Sequence, residues 1–441
     1  MKPEDAIAFV KQKGFQISWN WFEVRDAAHV QAFTVAKAAR LDILQDIRGA
    51  LERALETGST LATFKKNLTP ILQAKGWWGK QIIVDGAGEA EVAQLGSPRR
   101  LETIYRTNMQ SAMMAGRYKQ MLANVRFAPY WMYVAVMDGR TRPSHAALNG
   151  RVFRWDDPIW QTLFPPNGYN CRCRVVALSE RQMKRLGLVV SSSEGLLVTR
   201  ELDAGTDPRT GEIYRAEVTG VRITHDGKPI TFYPDVGFNF NPGAAALEQS
   251  ALILARKVEF ADPELGARAM DAAMRLVLPQ IAAEFRTWAA TVIDAGKASN
   301  NYRVVGALKP EVLARLGELG VRPQTAALTL RDAELLHLAR DTKAARGWAL
   351  SQEGLLSLPQ SLANAEAVLW DTEDPALIYV FPDAPGSQLA KVVIRVDYAQ
   401  QTRDKQGREK LVRNAVRTAG LAEKGDLANS GRYQVLMGKI E

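Results

Sequence analysis

The chain has 441 residues, 46% of them hydrophobic and 24% charged, the balance of a soluble globular protein with room for about three domains. No apolar run approaches the ~18 residues of a membrane helix, and Met1-Lys2-Pro3-Glu4-Asp5 lacks the basic-then-apolar plan of a secretion signal. Membrane partners are therefore not expected, and the protein should stay in the cell that makes it or leave as part of a particle. A net charge of +9 favours polyanionic neighbours such as DNA. A solvated surface explains it equally well, and no homeodomain, zinc-finger or RNP pattern is present.

Residues 1–85 read as helical. Asp26 can cap a helix running to about Thr57 and stopping at Gly58, with Leu44, Ile47, Leu51 and Leu55 forming one apolar stripe. Trp19, Trp21 and Phe22 precede it. A shorter helix spans about Leu61–Lys75, and Trp77-Trp78 follow it. Such aromatics are expected in the core, although an exposed set would be a docking anchor. Ser97-Pro98 joins a hydroxyl cap to proline at the first helical position. That helix should reach about Asn124, with Leu101, Ile104, Tyr105, Asn108, Ala112 and Tyr118 facing inward. Arg99, Arg100, Arg106, Arg117 and Lys119 would give it a solvated basic side. Tyr130–Val136 then reads as a strand that delivers Asp138 into a loop-rich segment.

That segment concentrates the chemistry. Asp138-Gly139-Arg140-Thr141-Arg142-Pro143-Ser144-His145 leads to Leu148-Asn149-Gly150. A stretch with Trp155, Asp156, Asp157 and Trp160 follows, then Pro165-Pro166-Asn167-Gly168-Tyr169-Asn170-Cys171-Arg172-Cys173-Arg174. The chain has two cysteines, both in this Cys-x-Cys, and four histidines, one of which is His145. Asp138, His145, Cys171 and Cys173 would make a ligand set for a structural metal, with Zn2+ the candidate ion. Buried free thiols are the competing state. A disulfide two residues apart would close a strained, easily reduced ring. Cysteine catalysis is disfavoured, because the nearest base, His145, sits among scaffold-like Pro and Gly.

D-G-R-T-R-P-S-H-x-x-L-N-G followed by P-P-N-G-Y-N-C-R-C-R-V closely resembles the head-morphogenesis signature of the phage Mu F-like minor head protein family. There a long helix with an Arg-Thr-Asn step and a Gly-Arg step precedes it; here these are Arg106-Thr107-Asn108 and Gly116-Arg117. The resemblance covers roughly residues 30–180. It implies a minor structural protein of a tailed-phage head, located in the virion, assembled in the host cytoplasm and incorporated near the portal. The implied partners are the portal protein and the major capsid protein, with genomic DNA a further candidate through DNA packaging.

Downstream, residues 187–243 read as short β runs. Asp226-Gly227, between Val221–His225 and Pro229–Tyr233, is favoured two-residue hairpin chemistry, which makes His225 a turn residue. Asp207-Pro208-Arg209-Thr210-Gly211 is a second turn. Residues 244–300 return to helices, one opened by Asp262-Pro263 and another by Pro279, ending at Gly296. They read as a helical linker.

From 301 to 441 a helix over Arg331–Ala345, carrying His337, Arg340 and Asp341, precedes strands at Ala365–Asp371, Ala376–Phe381, Ala390–Asp397 and Tyr433–Gly438. Along the third strand Val392, Ile394 and Val396 share an apolar face, while Lys391, Val393, Arg395 and Asp397 share the other. This unit resembles the nuclease-like domains fused to Mu F-like proteins, related to barnase, colicin and RelE-type RNases. The matching strings are Val368–Asp371, Ile378–Phe381, Lys391–Tyr398, Asn414 with Arg417-Thr418-Ala419, and Tyr433–Gly438. His337, Lys391, Arg395 and Arg417 are the candidates for metal-free RNA cleavage. No carboxylate–histidine pair at fixed spacing accompanies them, and His337 among leucines reads as a packing residue, so the fold is expected with weak or absent cleavage. The whole is an α+β multidomain chain: a helical region (1–85), a Mu F-like domain (86–186), a β-rich connector (187–243), a helical linker (244–300) and a nuclease-like domain (301–441). A polymorphic toxin delivering a C-terminal RNase is the alternative to a head protein, and a nuclease-like plug within a head protein is a third reading.

Overall fold

The computed structural model describes residues 3–24, 26–84, 90–206, 211–339, 349–382, 388–404 and 407–440. Its helices and several separate sheets make an α+β chain. Contacts divide it into two compact units, 1–249 and 250–441.

In the first unit, α1 (Glu4–Lys11), α2 (Leu41–Thr57), α3 (Leu61–Ala74) and α4 (Pro98–Ala123) provide the helical frame. The apolar stripe of α2 is buried at Leu44, Ile47, Leu51 and Leu55, and Gly58 closes the helix at φ 69°. The helix does not begin at Asp26 as expected. A single turn at Ala28–Gln31 gives way to Ala32-Phe33, which pairs in parallel with Gly14-Phe15. Phe33 and Val35 suit an extended, half-buried surface and enter the same core cluster as Ile43 and Leu44. Tertiary burial wins over helix continuity there.

The Ser97 hydroxyl accepts from the Arg100 amide and opens α4, with Pro98 as its first residue. Helix α1 crosses α4 at Gly116, where a Cβ would lie 3.1 Å from the Ala6 nitrogen. The Gly-Arg step thus has a packing cause. The basic side of α4 is not simply solvated. Arg100 donates to the carbonyls of Ala36, Gln94 and Leu95, Arg106 pairs with Glu102, and Lys119 pairs with Asp5.

Tyr130–Val134 is central in a four-stranded sheet, flanked by Arg174–Leu178 and Val152–Arg154, with Val190–Ser191 at the edge. Trp131 and Tyr133 are fully buried beneath it. A three-stranded sheet of Leu197–Thr206, Ile213–His225 and Lys228–Phe232 adds Val221, Ile223 and Phe232 to the same core. Asp226 and Gly227 form its tight turn at φ 49° and 75°, between the paired His225 and Lys228. Residues 207–210 of the second expected turn lie outside the described residues.

In the second unit, α5 (Pro263–Ala295) is one helix, capped by Asp262 and ended by Gly296. Pro279 lies inside it instead of opening a new helix. Buried side chains continue across it, from Ala267 and Met270 to Val277, Ile281 and Phe285, and this burial offsets the ~3 kcal/mol disruption of an interior proline. These residues share one core with the sheet, so α5 is an integral wall of this unit.

The sheet has seven strands, in the order Tyr302–Ala307, Ala327–Arg331, Gly407–Glu423, Gln388–Asp404, Ala376–Phe381, Ala367–Asp371 and Tyr433–Gly438. Only Ala327–Arg331 with Gly407–Glu423 is parallel. Val392 and Ile394 are buried on the α5 side, with Val396 partly so. The opposite face is not simply wet: Val393 packs against a second apolar cluster containing Leu369, Ile378, Val380 and Leu427. The expected helix over Arg331–Ala345 is α6 (Asp332–Leu338), and Arg340 and Asp341 lie outside the described residues.

Candidate functional site

Two loops build the site. After Val134, Asp138 shapes a turn by accepting from the Arg140 amide, and Pro143 opens the single turn Pro143–Ala146 that carries His145 inward. The Asn149 side chain accepts from the Ala135 amide at 3.0 Å, and the Gly150 amide donates to the Tyr133 carbonyl at 2.9 Å. The loop is thereby clamped across its own neck. In the second loop Asn167 is fully buried and its Oδ1 accepts from the Tyr133 hydroxyl at 2.9 Å. Gly168 follows because Arg142 and Asp235 close directly over it: a Cβ there would stand 2.2 Å from Asp235 Oδ2 and 2.5 Å from the Arg142 guanidinium. Helix α4 reaches the same place, with Gln110 Nε2 donating to the Cys173 carbonyl at 2.7 Å.

These constraints bring three side chains together. His145 Nδ1 lies 3.8 Å from Cys171 Sγ and 3.5 Å from Cys173 Sγ. Relative exposures are 4%, 9% and 3%, and the three donor atoms all lie within 4.8 Å of one another. A tetrahedral zinc with bonds of about 2.1 Å to nitrogen and 2.3 Å to sulfur separates N and S by roughly 3.6 Å. The observed spacings fit that geometry, so the group can hold a metal ion. Both cysteines are free thiols.

The electrostatics favour one negative charge on the pair. A hydrogen bond from Cys173 holds the Cys171 thiol well below its usual range against the opposing effect of burial, and His145 adds to the lowering. Cys173 is pushed up in turn by Cys171 and by burial. The Tyr133 hydroxyl beside them is raised by burial and by the two sulfurs, which keeps it a neutral hydrogen-bond donor.

Asp138 is not part of this group. Its carboxylate takes two hydrogen bonds from Arg172, at 2.6 and 2.7 Å, and is held well below the usual carboxylate range mainly by that partner. The three donors instead border a cavity of about 190 Å³ lined also by Arg140, Asn170 and Arg172. A fourth ligand would enter from there.

The four candidates in the second unit do not assemble. No hydrogen bond or ion pair joins any two of them among the described residues. Arg417 is paired with Glu334, which also holds Arg331, and lies 4.4 Å over the Tyr398 ring. Arg395 donates to the Pro375 carbonyl and pairs with Asp374. Lys391 is half-buried, its pKa lowered by burial and by Arg432. His337 is exposed, since the buried stripe of α6 runs through Glu334, Leu335 and Leu338 and leaves it outside. Arg142, Asn149 and Asn167 stand inside the signature strings, but their hydrogen-bond roles, and those of Gln110 and Asp235, carry no signal in the sequence.

The first unit of this two-unit α+β protein closes two loops and a long helix around a buried Cys2His group. The chain belongs to the phage Mu protein F-like family. The model of that family, described as Phage Mu protein F like protein, matches residues 45–176, from within α2 to the strand after Cys173. Over 445 aligned residues it is 40% identical to the putative capsid assembly protein F of Escherichia phage Mu, covering all of this chain and 96% of that protein. It is 35% identical over 428 residues to the Mu-like prophage FluMu F protein of Haemophilus influenzae, covering 96% of this chain and all of that one. No solved structure matches.

Proposed function

We propose that this protein acts in capsid assembly as a minor structural component of a tailed-phage head, incorporated near the portal. The observation that carries this reading is the end-to-end similarity to a protein named putative capsid assembly protein F. The similarity includes the second unit, which supports reading that unit as part of the same particle protein and not as a separable toxin. Two of its candidate catalytic cations, Arg417 and Arg395, are paired with Glu334 and Asp374, which also favours a structural role. The portal and major capsid proteins are the proposed partners. Genomic DNA is a further one, supported by the net charge of +9.

The Cys2His group is proposed to hold Zn2+ as a structural staple. Thiolate and imidazole are the ligands zinc prefers, and the ion would tie the His145 loop to the Cys171–Cys173 loop. The experiment for the overall function is a deletion. Purified particles should contain the protein at far fewer copies than the major capsid protein, and phage lacking it should give defective or uninfectious heads. Normal, fully infectious particles without it would overturn the reading.

A further inference from the structure

A second cavity lies in the first unit and shares Tyr169 and Asn170 with the one beside the cysteines. Lys13, residues 18–21, residues 29–37, α4 from Arg99 to Ser111, and the segments around Asn170 and Phe238 enclose a cavity of about 670 Å³. Its basic lining residues are Lys13, His29, Lys37, Arg99 and Arg100, with no carboxylate among the described lining residues. Lys37 is paired with Glu91, and Arg100 is spent on three backbone carbonyls that carry no full charge.

Lys13 is the unusual member. It is 6% exposed, and its side chain makes no hydrogen bond or ion pair among the described residues; its ammonium sits 4.4 Å over the Phe9 ring. A buried ammonium with only a ring face to balance it is costly unless a counter-ion arrives. The same cavity is lined by the hydroxyls of Thr103 and Ser111, and by those of Ser18 and Thr34, which bond to each other. Thr107 lines the same cavity, and its Oγ1 is buried without a partner. Trp19, Trp21 and Phe238 supply flat apolar walls.

We propose that this cavity is a binding site for a phosphate-bearing ligand of mononucleotide size, with Lys13 as the charge partner of the phosphate. Two cations free of carboxylates, Lys13 and Arg99, together with several hydroxyl donors, match the three oxygens of a phosphate monoester better than the two of a carboxylate. The volume falls within the range of small-molecule sites, and the indole faces offer stacking for a base. A phosphate here would also complete the charge balance that the protein leaves open at Lys13.

The test is titration calorimetry on the full chain with inorganic phosphate, a nucleoside monophosphate, the parent nucleoside, a 5′-phosphorylated trinucleotide and succinate. The monophosphate should bind at least tenfold more tightly than the nucleoside or succinate. Lys13→Met should weaken it at least tenfold, and Lys13→Arg should largely preserve it. Arg99→Ala, an exposed change that leaves the core untouched, should weaken it several-fold and gives an independent second variant. Binding of inorganic phosphate as tight as the monophosphate would assign a bare phosphate site and overturn the base-stacking part. Tighter binding of the trinucleotide would place the phosphate at a nucleic-acid end. Succinate binding as well as the monophosphate, no binding of any phosphate-bearing probe, or binding insensitive to both Lys13→Met and Arg99→Ala would overturn the proposal.

Discussion

His145 Nδ1 lies 3.5 Å from Cys173 Sγ, although 28 positions separate them in the chain. Closing so long a loop costs entropy that a single weak N···S contact does not offset. The rest of the closure comes from Asn149, Asn167, Gln110 and the Arg142–Asp235 pair, all of which fix the two loops before any ion is considered. The three donors are therefore preorganised, which favours metal binding.

Purified protein should accordingly contain close to one zinc per chain, measured by elemental analysis. Cys171→Ser with Cys173→Ser should abolish it, and His145→Ala should weaken it strongly. Chelation should lower the melting temperature of the wild type and leave the double variant unchanged. Metal-free protein whose stability ignores both zinc and chelator would leave the group as a buried thiol–imidazole contact and sink the zinc reading.

Gly168 offers a test of the clamp itself. Any Cβ must displace the exposed ends of Asp235 or Arg142, so Gly168→Ala should cost up to about 1 kcal/mol, the value of an exposed ion pair. Urea unfolding would read this as a lower midpoint at unchanged slope. Asp235→Ala combined with Gly168→Ala should cost less than the sum of the two single changes. Strict additivity would show that the close approach does not matter.

Much of this was legible because the informative residues are scarce. Two thiols and one upstream imidazole in loop-forming sequence pointed to a shared site, and the caps at Ser97, Asp262, Gly58 and Gly296 marked true helix ends. Residue type alone groups Asp138 with the thiols. Side chains of an extended segment alternate in direction, so Cys171 and Cys173 turn inward while the intervening Arg172 turns out and takes the Asp138 carboxylate. The strand Gly407–Glu423 has no clear alternation in sequence, because Arg408, Lys410, Arg413 and Arg417 interrupt its apolar pattern. Its Arg413 is buried against Glu259, a partner no local pattern could reveal.

Lys13 gives a pH prediction whose sign follows from its environment. Burial depresses it from an ordinary 10.5 to about 7. Above 10.5 the folded and unfolded states are both neutral there, and between the two values only the unfolded chain holds the proton. Its contribution to stability therefore rises with pH from about 7 to about 10.5 and is constant below 7, where both states are charged. Lys13→Met should stabilise the protein in phosphate-free buffer, by an amount on the order of a few kcal/mol at pH 6 that shrinks towards zero near pH 10.5. Unfolding curves at pH 6, 8 and 10 would check this. A gain independent of pH would mean that burial does not depress Lys13, and a loss at every pH would mean that it has a partner.

The last prediction separates structure from activity in the second unit. Glu334 is 6% exposed and receives both Arg331 and Arg417. Glu334→Ala would strand two guanidiniums in a partly buried setting and should cost about 3 kcal/mol, as for a broken buried pair. Arg417→Ala should cost less, since Arg331 remains on the carboxylate. Neither Arg417 nor Arg395 is placed to meet a phosphodiester without first leaving its acid, and exposed His337 has no carboxylate partner among the described residues to orient it. The full chain incubated with total RNA should therefore give no cleavage above buffer, and Arg395→Ala and His337→Ala should behave as the wild type does. Efficient cleavage by the wild type, lost in either variant at unchanged melting temperature, would instead make this unit a working ribonuclease and the two ion pairs its resting state.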